Sequence, residues 1–406
     1  MSKIYEVFLK ILKAALQGRQ LTDFEDVTGE EWEAIFRLAE THSVLPLVYQ
    51  TVFAVPALQS SPAIRGKVRR LVMLQTMKTN EFLQLNRKLR EAGCTPLVVK
   101  GLVCRSLYPM PDLRLSSDED ILIPAEQFEI CRTVLEEAGL DTDTPVDQIP
   151  TAYEVPYRKR DSVLYLEVHK SLFPAQSDAY GDWNRFFRDV FRSAVCDGEV
   201  LTLSHTDHLF YLLCHAFKHF IHSGFGIRQV CDIVMYANAY GSQADWQQIY
   251  ENCCQIHGEV FAAALFRIGE KYLIFDSKQA SYPQFWKDIP VDETDMLLDL
   301  LMGGVYGGAT MSRKHSSNMT LDAVTAHKQG KKAKNSLKNT LFPPAKSLEQ
   351  RYPYLVRKPY LLPVAWASRV LHYLQETKGS ADNSAVESLQ IGSQRVELLR
   401  KYRVIR

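Results

Sequence analysis

Three acidic residues, Asp118, Asp120 and Glu167, occupy positions where a carboxylate needs a reason. Asp118 and Asp120 flank Glu119 at the head of the apolar run Ile121, Leu122 and Ile123; on a strand, where side chains alternate, both aspartates point to one side. Hard divalent cations take oxygen ligands, and Mg²⁺ commonly uses one or two carboxylates together with substrate phosphates. Glu167 lies between Leu166 and Val168 in SVLYLEVHKSL, and a charge among apolar neighbours is costly without a partner. A bridging metal would be such a partner. Carboxylates from two neighbouring strands form the ligand set of two-metal phosphoryl or nucleotidyl transfer, in which one ion activates the attacking hydroxyl and the other stabilises the leaving group. The bland reading of the same residues is a solvated strand edge with Glu167 on its wet side.

Other residues could serve such a site. Lys100 and Gly101 end the strand PLVVKG before a short helix, so phosphate oxygens could approach backbone N–H groups there while Lys100 adds charge. Arg114 and Arg228 are candidate phosphate clamps, because a planar guanidinium can grip two phosphate oxygens; an ordinary surface arginine is the alternative. His208, His215, His219 and His222 follow at spacings that put them on one side of a helix, beside an apolar face. Such a set can hold an ion or border a cleft, with His215 and Lys218 nearest in character to phosphate or base contacts.

The elements that must position these groups follow from periodicity. Thr28 and Glu31 form a capping box ahead of EWEAIFRLAETHSVLPLVYQTVF, and Arg65 to Glu91 is a second amphipathic stretch closed by Gly93, so residues 1–92 are a helical lead-in. TPLVVKG, PMPDLRLSS and DEDILIP are too short for helices and read as strands; YEVPYRKR and SVLYLEVHKSL read as a hairpin turning at Asp161. Residues 93–203 are thus a small α/β core, 204–302 a helical bundle, 303–350 a basic exposed loop, and 351–406 C-terminal helices. The loop carries Arg313, Lys314, Lys328, Lys331, Lys332, Lys334 and Lys338 against Asp322; without interleaved aromatic residues it reads first as a solvated segment, with RNA contact as the alternative.

The 406 residues are 46% hydrophobic and 23% charged with net charge +1, which argues for a folded chain and against a surface that holds nucleic acid throughout. The first residues lack an uninterrupted apolar core and cleavage site, and no run of about 18 apolar residues occurs. The eight cysteines are scattered without a CxxC pair, as expected for reduced thiols in the cytoplasm.

VVKGLVCRSLYPMPDLRLSSDEDILI resembles the signature of the uncharacterised nucleotidyltransferase family of the polymerase-β-like superfamily, with its Lys-Gly turn, Tyr-Pro, Arg and Asp-x-Asp falling on Lys100, Gly101, Tyr108, Pro109, Arg114, Asp118 and Asp120. LEVHKSL is similar to the family's acidic-apolar-His element, which puts the third carboxylate on Glu167 and a companion imidazole on His169. The resemblance departs from the wider superfamily in having Lys-Gly for Gly-Ser and Glu for the third Asp. It implies an α+β fold with a small mixed sheet between helical segments, and transfer of a nucleoside monophosphate from an NTP, first of all ATP, to an unidentified acceptor with Mg²⁺, or alternatively Mn²⁺. Asp118, Asp120 and Glu167 would be catalytic metal ligands, and Lys100, Gly101, Arg114, His169, His215, Lys218 and Arg228 would bind nucleotide. A catalytically decayed nucleotide binder and a two-metal nuclease remain the alternatives.

Overall fold

The computed structural model describes residues 1–58, 62–175, 177, 179–304, 311–330, 345–348, 352, 354–368 and 385–405. The lead-in comprises α1 (Lys3–Leu16), α2 (Gly29–Thr41), α3 (Leu45–Val52) and α4 (Pro62–Glu91). Thr28 and Glu31 make the reciprocal cap of α2. The stretch expected to continue through Phe53 breaks at Ser43, whose φ is 55°, and restarts with Pro46 in the first turn of α3, where a missing N–H costs nothing. The break lets buried His42 accept from the Ile227 N–H through Nδ1 and pair Nε2 with the Leu301 carbonyl, tying the lead-in to the helical bundle that follows the sheet.

The sheet contains β1 (Leu97–Val99), β2 (Glu119–Leu122), β3 (Leu140–Asp141), β4 (Glu154–Lys159), β5 (Tyr165–His169), β6 (Val195–Asp197) and β7 (Val200–Thr202), ordered β3-β4-β5-β2-β1-β7-β6. It is mixed: β2 runs parallel to β5 and β1 to β7, whereas β1–β2, β3–β4, β4–β5 and β6–β7 are antiparallel. This is the expected α+β architecture. The β4–β5 hairpin turns at Asp161, which takes φ 62°, a conformation aspartate tolerates better than most residues. Two short helices, α5 (Gly101–Ser106) and α6 (Phe128–Glu137), lie between strands.

The segment PMPDLRLSS is not a strand. It forms a single 3₁₀ turn, Pro111–Leu113, and then an irregular stretch. Side chains of α4 satisfy its backbone in place of a neighbouring strand: Gln75 Oε1 accepts from the Ser116 N–H (2.9 Å), and Lys78 Nζ donates to the Ser116 and Ser117 carbonyls (2.5 and 3.0 Å). Conversely, the β6–β7 hairpin was not anticipated, since runs of three residues are too short to show alternation.

After the sheet come α7 (His205–Ile221), α8 (Ile227–Tyr240), α9 (Trp246–Gln255), α10 (Glu259–Tyr272), α11 (Gln284–Lys287), α12 (Thr294–Gly303) and α13 (Met311–Lys328). The basic-loop expectation is corrected here over Met311–Lys328, which is helical and packs on the C-terminal helix Ala385–Lys401. Arg313 is buried and shares Asp299 with Arg395 (2.7 and 2.6 Å). A charge-rich composition suggested solvent, but the acid that neutralises it comes from another helix. Lys331, Lys332, Lys334 and Lys338 lie outside the described residues. One buried apolar cluster runs from Phe8 through the sheet to Ile405. Among the described residues, no helix is long and apolar enough to cross a membrane.

Candidate active site

The parallel pairing of β2 with β5 sets Asp120 directly opposite Glu167, and Leu122 opposite His169. Register partners share a face, so Asp120, Tyr165, Glu167 and His169 project to one side while Leu166 and Val168 enter the core on the other. Asp118 precedes the strand, half-buried, with the Ser117 hydroxyl donating to its Oδ1 (3.1 Å). Asp118, Asp120 and Glu167 all line one cleft of about 540 Å³. The tightest grouping of possible ligand atoms differs from the expected trio: Asp120, Glu167 and His169 offer three atoms within 4.8 Å of one another, with Asp118 outside that set.

Asp120 is 1% exposed. Its Oδ1 meets Lys100 Nζ at 2.8 Å and His169 Nε2 at 3.0 Å, while its buried Oδ2 accepts no hydrogen bond among the described residues. Burial alone would raise this carboxyl, but the Lys100 ammonium and the His169 imidazole overcome that and hold it below the usual carboxylate range. Glu167 has no lysine or arginine within ion-pair distance among the described residues, and His169 Nε2 is farther from it, at 3.7 Å. Burial first, then the charges of Asp120 and Asp118, push it up to about 8. The paired carboxylates therefore have opposite tendencies, one ionised and one inclined to keep a proton, as expected of neighbouring acids in low dielectric.

Lys100 sits at a sharp turn between β1 and α5 with φ 54° and ψ −108°, a conformation that costs a non-glycine residue on the order of 1–3 kcal/mol. The strain persists because both ends of the residue are held. Nζ is fixed by Asp120, and the backbone N–H donates to His208 Nε2 (3.2 Å). His208 Nδ1 in turn bonds Thr202 Oγ1 (3.1 Å), whose hydroxyl donates to the Val98 carbonyl (2.6 Å). Nε2 must accept and Nδ1 must donate, so His208 works as a neutral imidazole.

This linkage makes acid a specific threat to the fold. Burial lowers His42 to about 4, and burial with the nearby His205 charge lowers His208 to about 3. In the unfolded chain both take up protons below about 6.5; stability is therefore fully present above that pH and lost as pH falls toward 4. At about 1.4 kcal/mol per unit and group, the pair costs roughly 4 kcal/mol between pH 7 and pH 5. Urea unfolding at the two pH values checks this, and His208→Gln should lose its share of the slope. A flat profile would refute the assignment.

Glu119, between the two aspartates, faces the opposite way. It pairs with Arg105 of α5 and accepts from Ser116 Oγ (2.9 Å), while Arg105 also donates to Thr79 Oγ1 (2.9 Å). This network explains Gly101: a Cβ there would run into Glu119 Oε2. The glycine is required by a carboxylate beneath the turn, and α5 is only six residues long, so the phosphate-cradling reason given for Gly101 is replaced, although the residue does line the cleft.

Arg114 also differs from expectation. Its Nε and Nη2 both bond Asp232 (3.1 and 2.6 Å), and Tyr108 OH donates to the same carboxylate (2.8 Å). Two of the three guanidinium nitrogens expected to grip phosphate are occupied by a protein acid, while buried Nη1 has no partner among the described residues and the residue lines the cleft. Arg228, on the cleft wall, donates to the Leu115 carbonyl, and no carboxylate lies within ion-pair distance of it among the described residues. Burial and neighbouring Arg114 lower its affinity for its proton, so a bound anion would relieve a real electrostatic deficit.

Helix α7 forms the wall facing the sheet. His215 Nε2 lies 3.4 Å from Lys100 Nζ and 3.2 Å from His219 Nε2. A second lobe of about 300 Å³, which shares Lys100, Asp118, Glu167, His215 and His219 with the first, is also lined by Tyr153, Glu154, His169, Lys218 and His222. Lys218 Nζ lies 3.5 Å from Tyr153 OH and 5.6 Å from the centre of its ring. The four histidines do not act together: His208 turns into the sheet, and the other three border the two lobes.

A family model described as an uncharacterised nucleotidyltransferase matches residues 28–273. The chain belongs to that family. The match runs from the cap of α2 to the start of the loop after α10, and thus takes in the whole sheet and both cleft walls of this nucleotidyltransferase family member. No curated protein and no solved structure matches the chain. Glu119, Arg105 and Glu154 were missed as contributors by sequence reasoning; of these, only Glu119, a third acid beside an apolar run, carried a signal that could have been followed.

Proposed function

We propose that the protein transfers a nucleoside monophosphate from an NTP to a hydroxyl-bearing acceptor in a reaction that depends on a divalent cation, with Asp118, Asp120 and Glu167 as ligands. The observation that carries this reading is the register of β2 and β5, which sets Asp120 beside Glu167 in a cleft lined by Lys100 and Arg228. The donor set fits such an ion: oxygen ligands predominate, and Asp120 Oδ2 is buried without a partner. A divalent cation bound there would supply Lewis acidity to phosphoryl oxygens.

The remaining roles belong to side chains. Lys100 and Arg228 hold triphosphate oxygens, His215 orients them, and Arg114, locked by Asp232, keeps the 114–118 segment in place. Glu167 takes the proton of the acceptor hydroxyl, a role in which a positioned carboxylate serves as general base. Lys218 and Tyr153 receive the acceptor in the second lobe. The test is incubation of the full chain with α-labelled NTPs, Mg²⁺ or Mn²⁺ and a panel of hydroxyl compounds, following pyrophosphate and label. Pyrophosphate release with label on the acceptor is expected. Binding without release would indicate a decayed site, and cleavage of added nucleic acid would indicate a nuclease; either would displace this reading.

A further inference from the structure

The proposed cation site contains a nitrogen. His169 is 3% exposed, and its Nε2 faces Asp120 Oδ1 at 3.0 Å and Glu167 Oε2 at 3.7 Å. On the far side of the ring, Nδ1 lies 3.6 Å from Glu154 Oε2, a carboxylate brought there because Glu154 and His169 are register partners across β4 and β5. At that distance Nδ1 has no hydrogen-bond partner among the described residues, and neither does the buried Asp120 Oδ2. Two orphaned buried atoms, one on Asp120 and one behind the imidazole ring, thus accompany the cluster itself. Nε2 bonds Asp120 Oδ1, and Glu154 lies beyond hydrogen-bond distance behind Nδ1; with a cation at Nε2 the proton would move to Nδ1, where that acid is placed to become its partner, as outer carboxylates are for metal-bound imidazoles.

We propose that His169 is a direct ligand, with Asp120 and Glu167, of one cation, and that this site takes Mn²⁺ in preference to Mg²⁺. The inference rests on the metal-dependent reading above and specifies its ion. Oxygen-rich octahedral sites suit Mg²⁺, Ca²⁺ and Mn²⁺; of these, imidazole nitrogen favours Mn²⁺, and Mg²⁺ prefers to keep oxygen ligands and waters. The site has no thiolate that would draw it toward softer ions: Cys104, buried near Lys100, is outside the cluster. Lys100, at Oδ1 of Asp120, leaves Oδ2 for the ion.

The test uses the purified full-length chain without nucleotide. Mn²⁺ binding is followed by electron paramagnetic resonance with Mg²⁺ as competitor, and pulsed spectra are read for directly bound ¹⁴N. Expected are a nitrogen coupling and a preference for Mn²⁺; in His169→Gln both should vanish while circular dichroism is retained. Glu154→Gln, on the more open side of the ring, should keep the coupling and weaken Mn²⁺ about tenfold or more, as loss of an outer carboxylate does. It carries the test should His169→Gln fail to fold. Bound Mn²⁺ without nitrogen coupling, or equal affinity for the two ions, overturns the proposal. NTP turnover with Mn²⁺ bound but uncoupled sinks this assignment alone; Mn²⁺ bound through His169 with no NTP turnover leaves it standing and sinks the transferase reading.

Discussion

Asp118→Asn should reduce cation-dependent NTP turnover on the order of 10³-fold and leave thermal stability nearly unchanged, because a metal-held charge contributes several kcal/mol to such reactions and about 1.4 kcal/mol is tenfold in rate. Its side chain is at the half-buried rim of the cleft, and among the described residues only the adjacent Ser117 hydroxyl is bonded to it. Asp120→Asn should be equally inactive for an additional reason. Asp120 is buried against Lys100, whose ammonium is kept charged against burial chiefly by that carboxylate. Removing one partner of a buried pair leaves an uncompensated charge and costs roughly 3–5 kcal/mol. Turnover assays with denaturant melts of both variants distinguish the cases. Near-normal turnover in either would place the metal elsewhere, and an unchanged melt for Asp120→Asn would show that the Lys100 turn does not depend on it.

Arg114→Ala should destabilise the protein by roughly 3–5 kcal/mol, a large part of a typical net stability of about 5–15 kcal/mol. The substitution strands Asp232, which is 4% exposed and, among the described residues, bonded otherwise only to Tyr108 OH. Arg114→Lys should recover little, because an ammonium cannot reproduce the two-donor fork. An apolar double replacement, Arg114→Met with Asp232→Leu, should recover much of the loss, since removing both charges abolishes the unpaired one. A phosphate clamp predicts the reverse pattern: weaker nucleotide binding, an unaltered melt, and no rescue by the second change. Chemical denaturation of the four proteins, with nucleotide binding measured beside it, decides between the roles.

The two predictions differ because of what a linear chain can reveal. Asp118, Asp120 and Glu167 were legible because acids beside or inside apolar runs conflict with burial, and a conflict of that kind marks a site. The strand-turn-helix rhythm around Lys100 and Gly101 was equally plain. The helices α7 to α10 declared themselves by apolar spacing, as did the cap of α2, because periodicity and capping are local properties.

What lay beyond local reading was every assignment that depends on a distant partner. Arg114 in isolation is an exposed guanidinium; Asp232, 118 residues away in sequence, makes it a buried structural pair. Arg313 read as part of a solvated basic stretch until Asp299 and Arg395 enclosed it. Gly101 suggested a phosphate cradle, but a carboxylate from β2 beneath it accounts for the missing side chain. His208 belongs by spacing with His215 and His219, yet its ring turns to the strand pair β1–β7 and holds the strained lysine. By itself, then, the sequence determined the kinds of element, their order, and which acids were out of place. The pairing of β2 with β5, and so the alignment of Asp120, Glu167 and His169 on one face with Glu154 behind, was decided only in three dimensions, because strand register arises from contacts between segments far apart along the chain.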